Sequence, residues 1–290
     1  MDQANELRIL KEQELENKSV FNQNHALKIT AVTGGKGGVG KSNIALNLAL
    51  ALIAKGERVC ILDADFGLAN IDVLLGIKPQ YNISHVLSGE KKLIDIICTG
   101  VNGLKLIPGA SGLKQLADLS EEVLHSFAIQ ARTLGVEFDR LIIDTPAGIA
   151  NNVLTFLLAA TEIITVTSPE PTSITDSYAL LKTFKLEHGK AKVMLVMNMC
   201  RNNKEGDIVS SRLINICNNF LGFKPEYLGN INLDMKFVNA IRRQRPVIIS
   251  EPSSVVSAQI VNLADRLKSI ESEKADLGNF FTSFKEFVSS

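Results

Sequence analysis

The chain has 290 residues, 46% of them hydrophobic, and sets 31 Lys and Arg against 31 Asp and Glu. That length and apolar content fit one large α/β domain with small appendages, and the absence of net charge argues against a broad electrostatic grip on nucleic acid. Cys60, Cys98, Cys200 and Cys217 form no CxxC pair and read as thiols of a reducing compartment rather than disulfides or metal ligands. The N-terminal stretch is polar and charged, unlike a signal peptide, and no apolar run approaches the length of a bilayer span.

In chain order, short β-branched runs alternate with helical patterns from Leu27 to about Ser269. Strands are expected at 28–33, 58–62, 104–107, 139–143, 162–167, 193–198 and 226–231. Helices are expected at about 41–54, 120–134, 150–159, 173–187, 207–220 and 253–271. Most strand runs are near-continuously apolar, as in Arg140-Leu141-Ile142-Ile143-Asp144, which a parallel sheet covered on both faces requires. The expected fold is α/β, a doubly wound, mostly parallel sheet with its ligand site at the carboxyl ends of the strands. Residues 27–274 would form this domain, with separate segments at 1–26 and 275–290.

Residues 34–42 read Gly-Gly-Lys-Gly-Gly-Val-Gly-Lys-Ser, between the apolar run 29–33 and a helical pattern that begins at Asn43. Strand, glycine turn and helix in that order make a phosphate cradle. Backbone N–H groups from Gly35, Gly37, Gly38, Val39 and Gly40 through Lys41, Ser42 and Asn43 can turn inward, and the helix adds the positive end of its dipole. Lys41 would reach the β- and γ-phosphates, and the Ser42 hydroxyl would ligate Mg²⁺. Lys36 is a second ammonium inside the loop. Lys41 already serves the loop's own nucleotide, so Lys36 is placed to reach a partner's phosphates across a symmetric interface.

Carboxylates end two later runs. Ile61-Leu62-Asp63-Ala64-Asp65 offers Asp63 to the outer shell of Mg²⁺ and Asp65 to the attacking water, against the alternative that an Asp caps a helix just beyond. Asp144 follows four apolar or basic residues of a strand and would hold Mg²⁺ directly or through water. Asn198, after Leu195-Val196-Met197, carries both the donor and the acceptor needed to read an adenine edge, or simply makes a turn.

The loop with its additional Lys36 resembles the deviant Walker A box of the MinD/ParA ATPases. Asp63-Ala64-Asp65-Phe66-Gly67-Leu68-Ala69-Asn70 resembles that family's switch I, and Thr145-Pro146-Ala147-Gly148 its switch II. The resemblance implies Mg-dependent hydrolysis of ATP to ADP and phosphate. It further implies a homodimer closed over two ATP molecules, with Lys36 acting in trans. Pro146, Ala147 and Gly148 would sense the γ-phosphate through the backbone, and Asn198 would bind adenine. Glu170 and Asp176 match a stretch that braces the dimer or partner face, though helix capping explains Asp176 nearly as well. Asn232 departs from the proline that relatives usually carry there, which leaves that part of the base pocket open.

The two ends separate the relatives. Asp2-Gln3-Ala4-Asn5-Glu6-Leu7-Arg8 resembles the activator segment of the FlhG (FleN/YlxH) family of flagellar-number ATPases. That implies contact through Asp2, Gln3, Ala4, Leu7 and Arg8 with an FlhF-like GTPase, with Gln3 placed to orient the water for GTP hydrolysis. Leu277, Phe280, Phe281, Phe284, Phe287 and Val288 form one apolar helical stripe similar to that family's membrane-targeting helix. Lys285 is offset by Glu286, so attraction to anionic lipid would add little. Permanent docking of this stripe on the core is the alternative. The resemblance implies a cytoplasmic protein reversibly bound to the inner membrane, with basal-body or transcription-regulator proteins as further partners and no specific nucleic acid. Competing readings are a MinD-type division-site regulator, a ParA-like DNA-segregation ATPase, and an electron carrier of the nitrogenase iron-protein kind. The last needs paired cluster cysteines, which Cys98 alone does not supply.

Overall fold

The computed structural model describes residues 27–65, 70–109, 130 and 134–271. Within them one sheet contains β1 (Lys28–Thr33), β2 (Val59–Asp63), β3 (Cys98–Thr99), β4 (Lys105–Ile107), β5 (Arg140–Asp144), β6 (Glu162–Thr167), β7 (Lys192–Cys200) and β8 (Glu226–Asn232). The spatial order is β3-β4-β2-β5-β1-β6-β7-β8, and every pairing is parallel except that of β3 with β4. The helices are α1 (Lys41–Ala54), α2 (Ile71–Leu75), α3 (Ile83–Leu87), α4 (Leu93–Ile96), α5 (Leu134–Glu137), α6 (Asn151–Ala159), α7 (Pro171–Leu186), α8 (Asn203–Leu221), α9 (Met235–Arg242), α10 (Val247–Ser250) and α11 (Val255–Ser269).

The uninterrupted apolar strands are buried on both faces, which is why they lack polar alternation. In β5, Leu141 and Ile143 point into a core closed by α6, α7 and α8, while Ile142 points into a second core closed by α1 and α11. Buried side chains occupy almost the whole circumference of α1, as expected for a helix packed between the sheet and α11.

The expected doubly wound parallel sheet is present, with shifts at element ends that have local causes. The two strands expected at 58–62 and 139–143 run one residue later. Arg58 and Asp139 are tied to each other ahead of the sheet: Arg58 N–H donates to Asp139 Oδ2 (2.9 Å) and Asp139 N–H to Arg58 O (2.8 Å). As a result Asp63 and Asp144 are themselves strand residues. α8 starts before the expected 207 because Asn202 accepts the Glu205 N–H and caps it, and α11 starts after 253 at the Ser254 cap. α7 starts at Pro171, a residue suited to the first helical position. β3, α2, α3, α4, α9 and α10 were not expected. Each has eight residues or fewer, too short for a clear period. The helix expected at 120–134 lies almost entirely outside the described residues, as do the segments 1–26 and 272–290. Cys60, Cys200 and Cys217 are buried and Cys98 half-buried, all as free thiols. Burial pushes the Cys200 thiol up to about 12 and that of Cys217 to about 11. Among the described residues no helix is long and apolar enough to cross a membrane.

The amino ends of the central strands hold a buried ion pair. Arg140 and Glu162, the first residues of β5 and β6, are both fully buried and bonded through Arg140 Nη1 and Glu162 Oε2. Thr30 on the intervening β1 accepts from Arg140 Nη1 (2.6 Å) and donates to Glu162 Oε2 (2.8 Å), and Arg140 Nε donates to Glu57 (3.1 Å). Removing one member leaves a desolvated charge. Glu162→Ala should therefore lower the unfolding free energy by about 3 kcal/mol in urea denaturation. The apolar pair Arg140→Met with Glu162→Met should recover most of it; a double variant as unstable as Glu162→Ala would show that the charge left behind is not the cause.

Candidate functional site

β1 delivers the chain into the glycine loop, and the loop delivers it into α1. Gly38 (φ 79°) and Gly40 (φ 94°) adopt the left-handed conformation that lets the loop fold back on itself. Other glycines there are needed for space. A Cβ on Gly34 would come 2.6 Å from Val166 O, one on Gly35 would come 2.2 Å from the Asp176 backbone, and one on Gly40 would come 2.4 Å from Asn198 Nδ2. The loop is thus wedged between the end of β6, the backbone of α7 and the Asn198 amide. Asn198 is buried and donates from Nδ2 to Val39 O (2.8 Å), so half of the amide expected to read a base is spent on holding the loop.

Strand register then gathers the charges. Asp63 pairs with Asp144 across β2 and β5, and Val32, just before the loop, pairs with Asp144 across β1 and β5. Lys41 is 9% exposed. Burial depresses its ammonium, and the negative charges of Asp144 and Asp65 partly offset that. Burial pushes the Asp144 carboxyl up to about 7; the adjacent Ser42 hydroxyl and the Lys41 charge oppose the rise, and Asp63 and Asp65 add to it. Although Ser42 lies close, neither buried oxygen of Asp144 completes a hydrogen bond with a described residue. Burial also pushes Asp63 up to about 6, against the pull of the N–H groups of Ile71, Asn70 and Asp65. Asp63 Oδ2 accepts from Asn70 N–H (2.9 Å) and Ile71 N–H (3.0 Å), so the capping role weighed for this segment is one that Asp63 performs at the start of α2.

A cavity of about 650 Å³ opens over this cluster. Of the residues expected at a nucleotide, Gly37, Gly38, Gly40, Lys41, Ser42, Asn43, Asp65, Pro146, Ala147 and Asn198 line it. Asp63 and Asp144 lie buried beneath, and Gly148 N–H is bonded to Gly34 O (3.1 Å). Val39 is buried behind the loop and Gly35 is wedged against α7. The far wall was not expected: Val73, Leu74, Met199, Leu233, Phe237, Val238 and Ile241 supply an apolar slot. Only Asn232 and its neighbours carried a signal, since they follow a strand that ends beside Asn198. Met199 belongs to the irregular end of β7, and the rest comes from α2 and α9, short elements with little periodicity.

Lys36 stands outside the cavity. Its Nζ donates to Glu170 Oε2 (2.8 Å) and Thr172 Oγ1 (3.1 Å) at the start of α7. Both charged side chains are substantially exposed, and such pairs are worth little in water. Asp176 contributes its backbone as the surface under Gly35. Positions 2–8, expected to bind a partner, the Phe66–Ala69 stretch and the apolar positions 277–288 lie outside the described residues.

The donor set fits a divalent cation shared with a polyphosphate: a hydroxyl, two adjacent carboxylates and orphaned buried oxygens on Asp144. Among the described residues no group of three or more His, Cys, Asp or Glu side chains could hold a metal by itself, so the remaining ligands would have to come from the nucleotide and water.

Comparison with known proteins gives a consistent picture. A ParA family model, described as NUBPL iron-transfer P-loop NTPase, matches residues 25–268. The antiactivator FleN of Pseudomonas aeruginosa is 40% identical over 246 residues, 84% of this chain and 88% of that protein. The flagellum site-determining protein YlxH of Helicobacter pylori is 38% identical over 279 residues, 93% of this chain and 94% of that protein. Among solved structures, the cell division ATPase MinD of Pyrococcus furiosus superposes with a TM-score of 0.68 at 23% identity, covering 84% of this chain and 99% of that one. The septum site-determining protein MinD of Pyrococcus horikoshii, in complex with Mg-ADP, gives 0.67 at 23% identity, over 83% and 96%.

The buried carboxyl gives a pH dependence with a definite sign. Without nucleotide or metal, the folded protein holds the Asp144 proton more tightly than the unfolded chain, whose value is near 3.8. Stability therefore falls as pH rises from about 4 to about 7 and stays at its lower level above that. Asp144→Asn removes the charge. Its melting temperature in EDTA should exceed the parent's by roughly 3–6 °C at pH 8, and the gap should narrow toward pH 5. A pH-independent gap would contradict this.

Proposed function

Because the chain belongs to the MinD/ParA family of P-loop ATPases, in the branch of FleN and YlxH, we propose that it is an ATP-driven switch that controls flagellar number or placement. The observation that carries this reading is the strand register that sets Asp63 beside Asp144, under Lys41 and Ser42, at the floor of a cavity of about 650 Å³. MinD relatives are less similar, at 30% identity for the protein of Bacillus subtilis, so the flagellar reading stands ahead of a division-site one.

In this reading the glycine loop and the first turn of α1 hold the phosphates, and Lys41 contacts the β- and γ-phosphoryl oxygens. Ser42 and Asp144, with Asp63 in the outer shell, would hold Mg²⁺, which when bound offsets phosphate charge. Asp65 orients the attacking water. In the turn Pro146-Ala147-Gly148 the Ala147 N–H senses the γ-phosphate, since Pro146 has no N–H and that of Gly148 is bonded to Gly34 O, and Asn198 meets adenine. Exposed Val73 and Leu233 line the cavity, exposed Ile149 and Met235 lie within two positions of lining residues in the chain, and together they supply apolar surface for a second copy. On closure Lys36 leaves Glu170 for the partner's phosphates, an exchange favoured because the exposed pair is weak. Hydrolysis to ADP and phosphate reopens the dimer.

The terminal segments form separate units of function. Residues 1–26 contain the activator, acting on an FlhF-like GTPase through Asp2, Gln3, Ala4, Leu7 and Arg8. Residues 275–290 contain the membrane-targeting segment, acting on the cytoplasmic leaflet of the inner membrane through Leu277, Phe280, Phe281, Phe284, Phe287 and Val288. The YlxH match is longer than the described core, which supports segments shared beyond it. Basal-body or transcription-regulator proteins are further partners in this reading.

Three outcomes test it. Lys36→Ala should bind ATP within about threefold of the parent but lose stimulated turnover, a change of roughly 10³ if the lysine acts as an arginine finger does. Undiminished stimulated turnover would remove Lys36 from catalysis. In liposome flotation the full chain should float with ATP and not with ADP, and truncation after residue 276 should abolish floating. Deletion of residues 2–8 should leave flotation intact while ending stimulation of the GTPase.

A further inference from the structure

Asn198 is not the only amide on the wall of the nucleotide cavity. Asn232, the last residue of β8, lines the same cavity, and β8 runs parallel to β7, which carries Asn198. The orientation of Asn232 is fixed by a chain of hydrogen bonds that starts from a main-chain donor. Asn232 N–H donates to Gln259 Oε1 (3.0 Å), which leaves Gln259 Nε2 to donate to Asn203 Oδ1 (2.9 Å). Asn203 Oδ1 also accepts from Asn230 Nδ2 (3.0 Å), and the same Nδ2 donates to Asn232 Oδ1 (2.8 Å). The Tyr227 hydroxyl donates to Asn230 Oδ1 (3.3 Å). A backbone N–H cannot become an acceptor, so turning any one amide over would set donor against donor or acceptor against acceptor.

The consequence is a division of polarity between the two asparagines. Asn232 spends its oxygen on Asn230, and its Nδ2 has no hydrogen-bond partner among the described residues. Asn198 spends its Nδ2 on Val39 O, and its Oδ1 has no partner among the described residues. One presents only an acceptor and the other only a donor, and neither can rotate to swap them.

We infer that Asn232 is a specificity-determining residue that reads the base together with Asn198, selecting adenine against guanine by fixed amide polarity. This rests on the reading of the cavity as a nucleotide site. Adenine offers an amino donor beside a ring-nitrogen acceptor, complementary to Asn198 Oδ1 and Asn232 Nδ2. Guanine offers a keto acceptor beside an N–H donor, and that pattern meets like groups at both positions. A proline at 232 would carry neither the side-chain donor nor the N–H that anchors Gln259. Asn230, Asn203 and Gln259 are positioning residues that act through Asn232.

The test is calorimetric titration of the full chain with ADP, GDP and inosine diphosphate, none of which can lose a γ-phosphate. The parent should bind ADP at least about tenfold more tightly than GDP or the inosine compound, which differs from adenine only in carrying a keto group and a ring N–H. Asn232→Ala should weaken ADP about tenfold and GDP by less than twofold, so that the preference shrinks. Asn230→Ala, which leaves the cavity lining intact but frees the Asn232 amide to turn, should shrink the preference partly, with GDP gaining affinity. Parent protein that binds the three equally, or an Asn232→Ala variant that weakens ADP and GDP alike, would overturn the inference while leaving the nucleotide site in place. Parent protein that binds none of them would overturn the nucleotide reading itself. The inosine comparison needs no substitution, so it stands even if a variant fails to fold.

Discussion

Three ionisable groups are forced together at the carboxyl ends of β1, β2 and β5, and burial disfavours the charged form of each. Lys41 is driven down, Asp144 and Asp63 are driven up, and their mutual attraction only partly offsets the loss of water. A fold that needed only stability would place apolar side chains there, as it does one residue earlier at Leu62 and Ile143. The arrangement becomes favourable when a ligand brings both an anion for the lysine and a cation for the carboxylates. A polyphosphate carrying a divalent ion does both. The orphaned oxygens of Asp144 mark where the electrostatic balance is unfinished.

The opposite end of the same sheet handles buried charge differently. Arg140 and Glu162 pair directly through Nη1 and Oε2 and recruit Thr30 and Glu57. That network sits inside the sheet, with Arg140 Nη2 and Glu162 Oε1 left without a hydrogen-bond partner among the described residues, whereas the one at the loop opens toward a cavity. Access to a cavity, rather than the tally of satisfied atoms, separates scaffold from site without reference to any relative. It also gives α7 two jobs. Its backbone at Asp176 and Ser177 backs Gly35, and Glu170 and Thr172 at its start hold Lys36, so the glycine loop and the lysine within it rest on one helix.

Much of this was legible in the sequence because it is local. A strand, glycines and Lys-Ser fall within fifteen consecutive residues, and the geometry of a phosphate cradle follows from backbone conformation alone. The carboxylates were legible for a related reason: an apolar run ending in Asp tells where a buried strand surfaces. Sequence gave no warning that Asp63 would also bind the N–H groups that start α2, because that needs the chain to return after an intervening turn. Lys36 was read as a residue that reaches outward, and its resting partner, Glu170, lies 134 positions away in the chain. No periodicity links such a pair.

The apolar end of the cavity was the least legible part, and the reason is physical. Its walls come from α2, from the irregular ends of β7 and β8, and from α9, and none of these has a period long enough to declare itself. β7 and β8 lose register between Met197 and Cys200, and Met199 takes φ 58°, a left-handed turn that a β-branched or bulky residue rarely adopts. Asparagine at the ends of two neighbouring strands reads, residue by residue, as turn chemistry. Only the three-dimensional chain from the Asn232 N–H through Gln259, Asn203 and Asn230 turns it into a directional pattern. An amide side chain can present either polarity. What a binding site can use is whichever polarity the surrounding hydrogen bonds leave over, and that residue of choice is a property of the folded network rather than of any position in it.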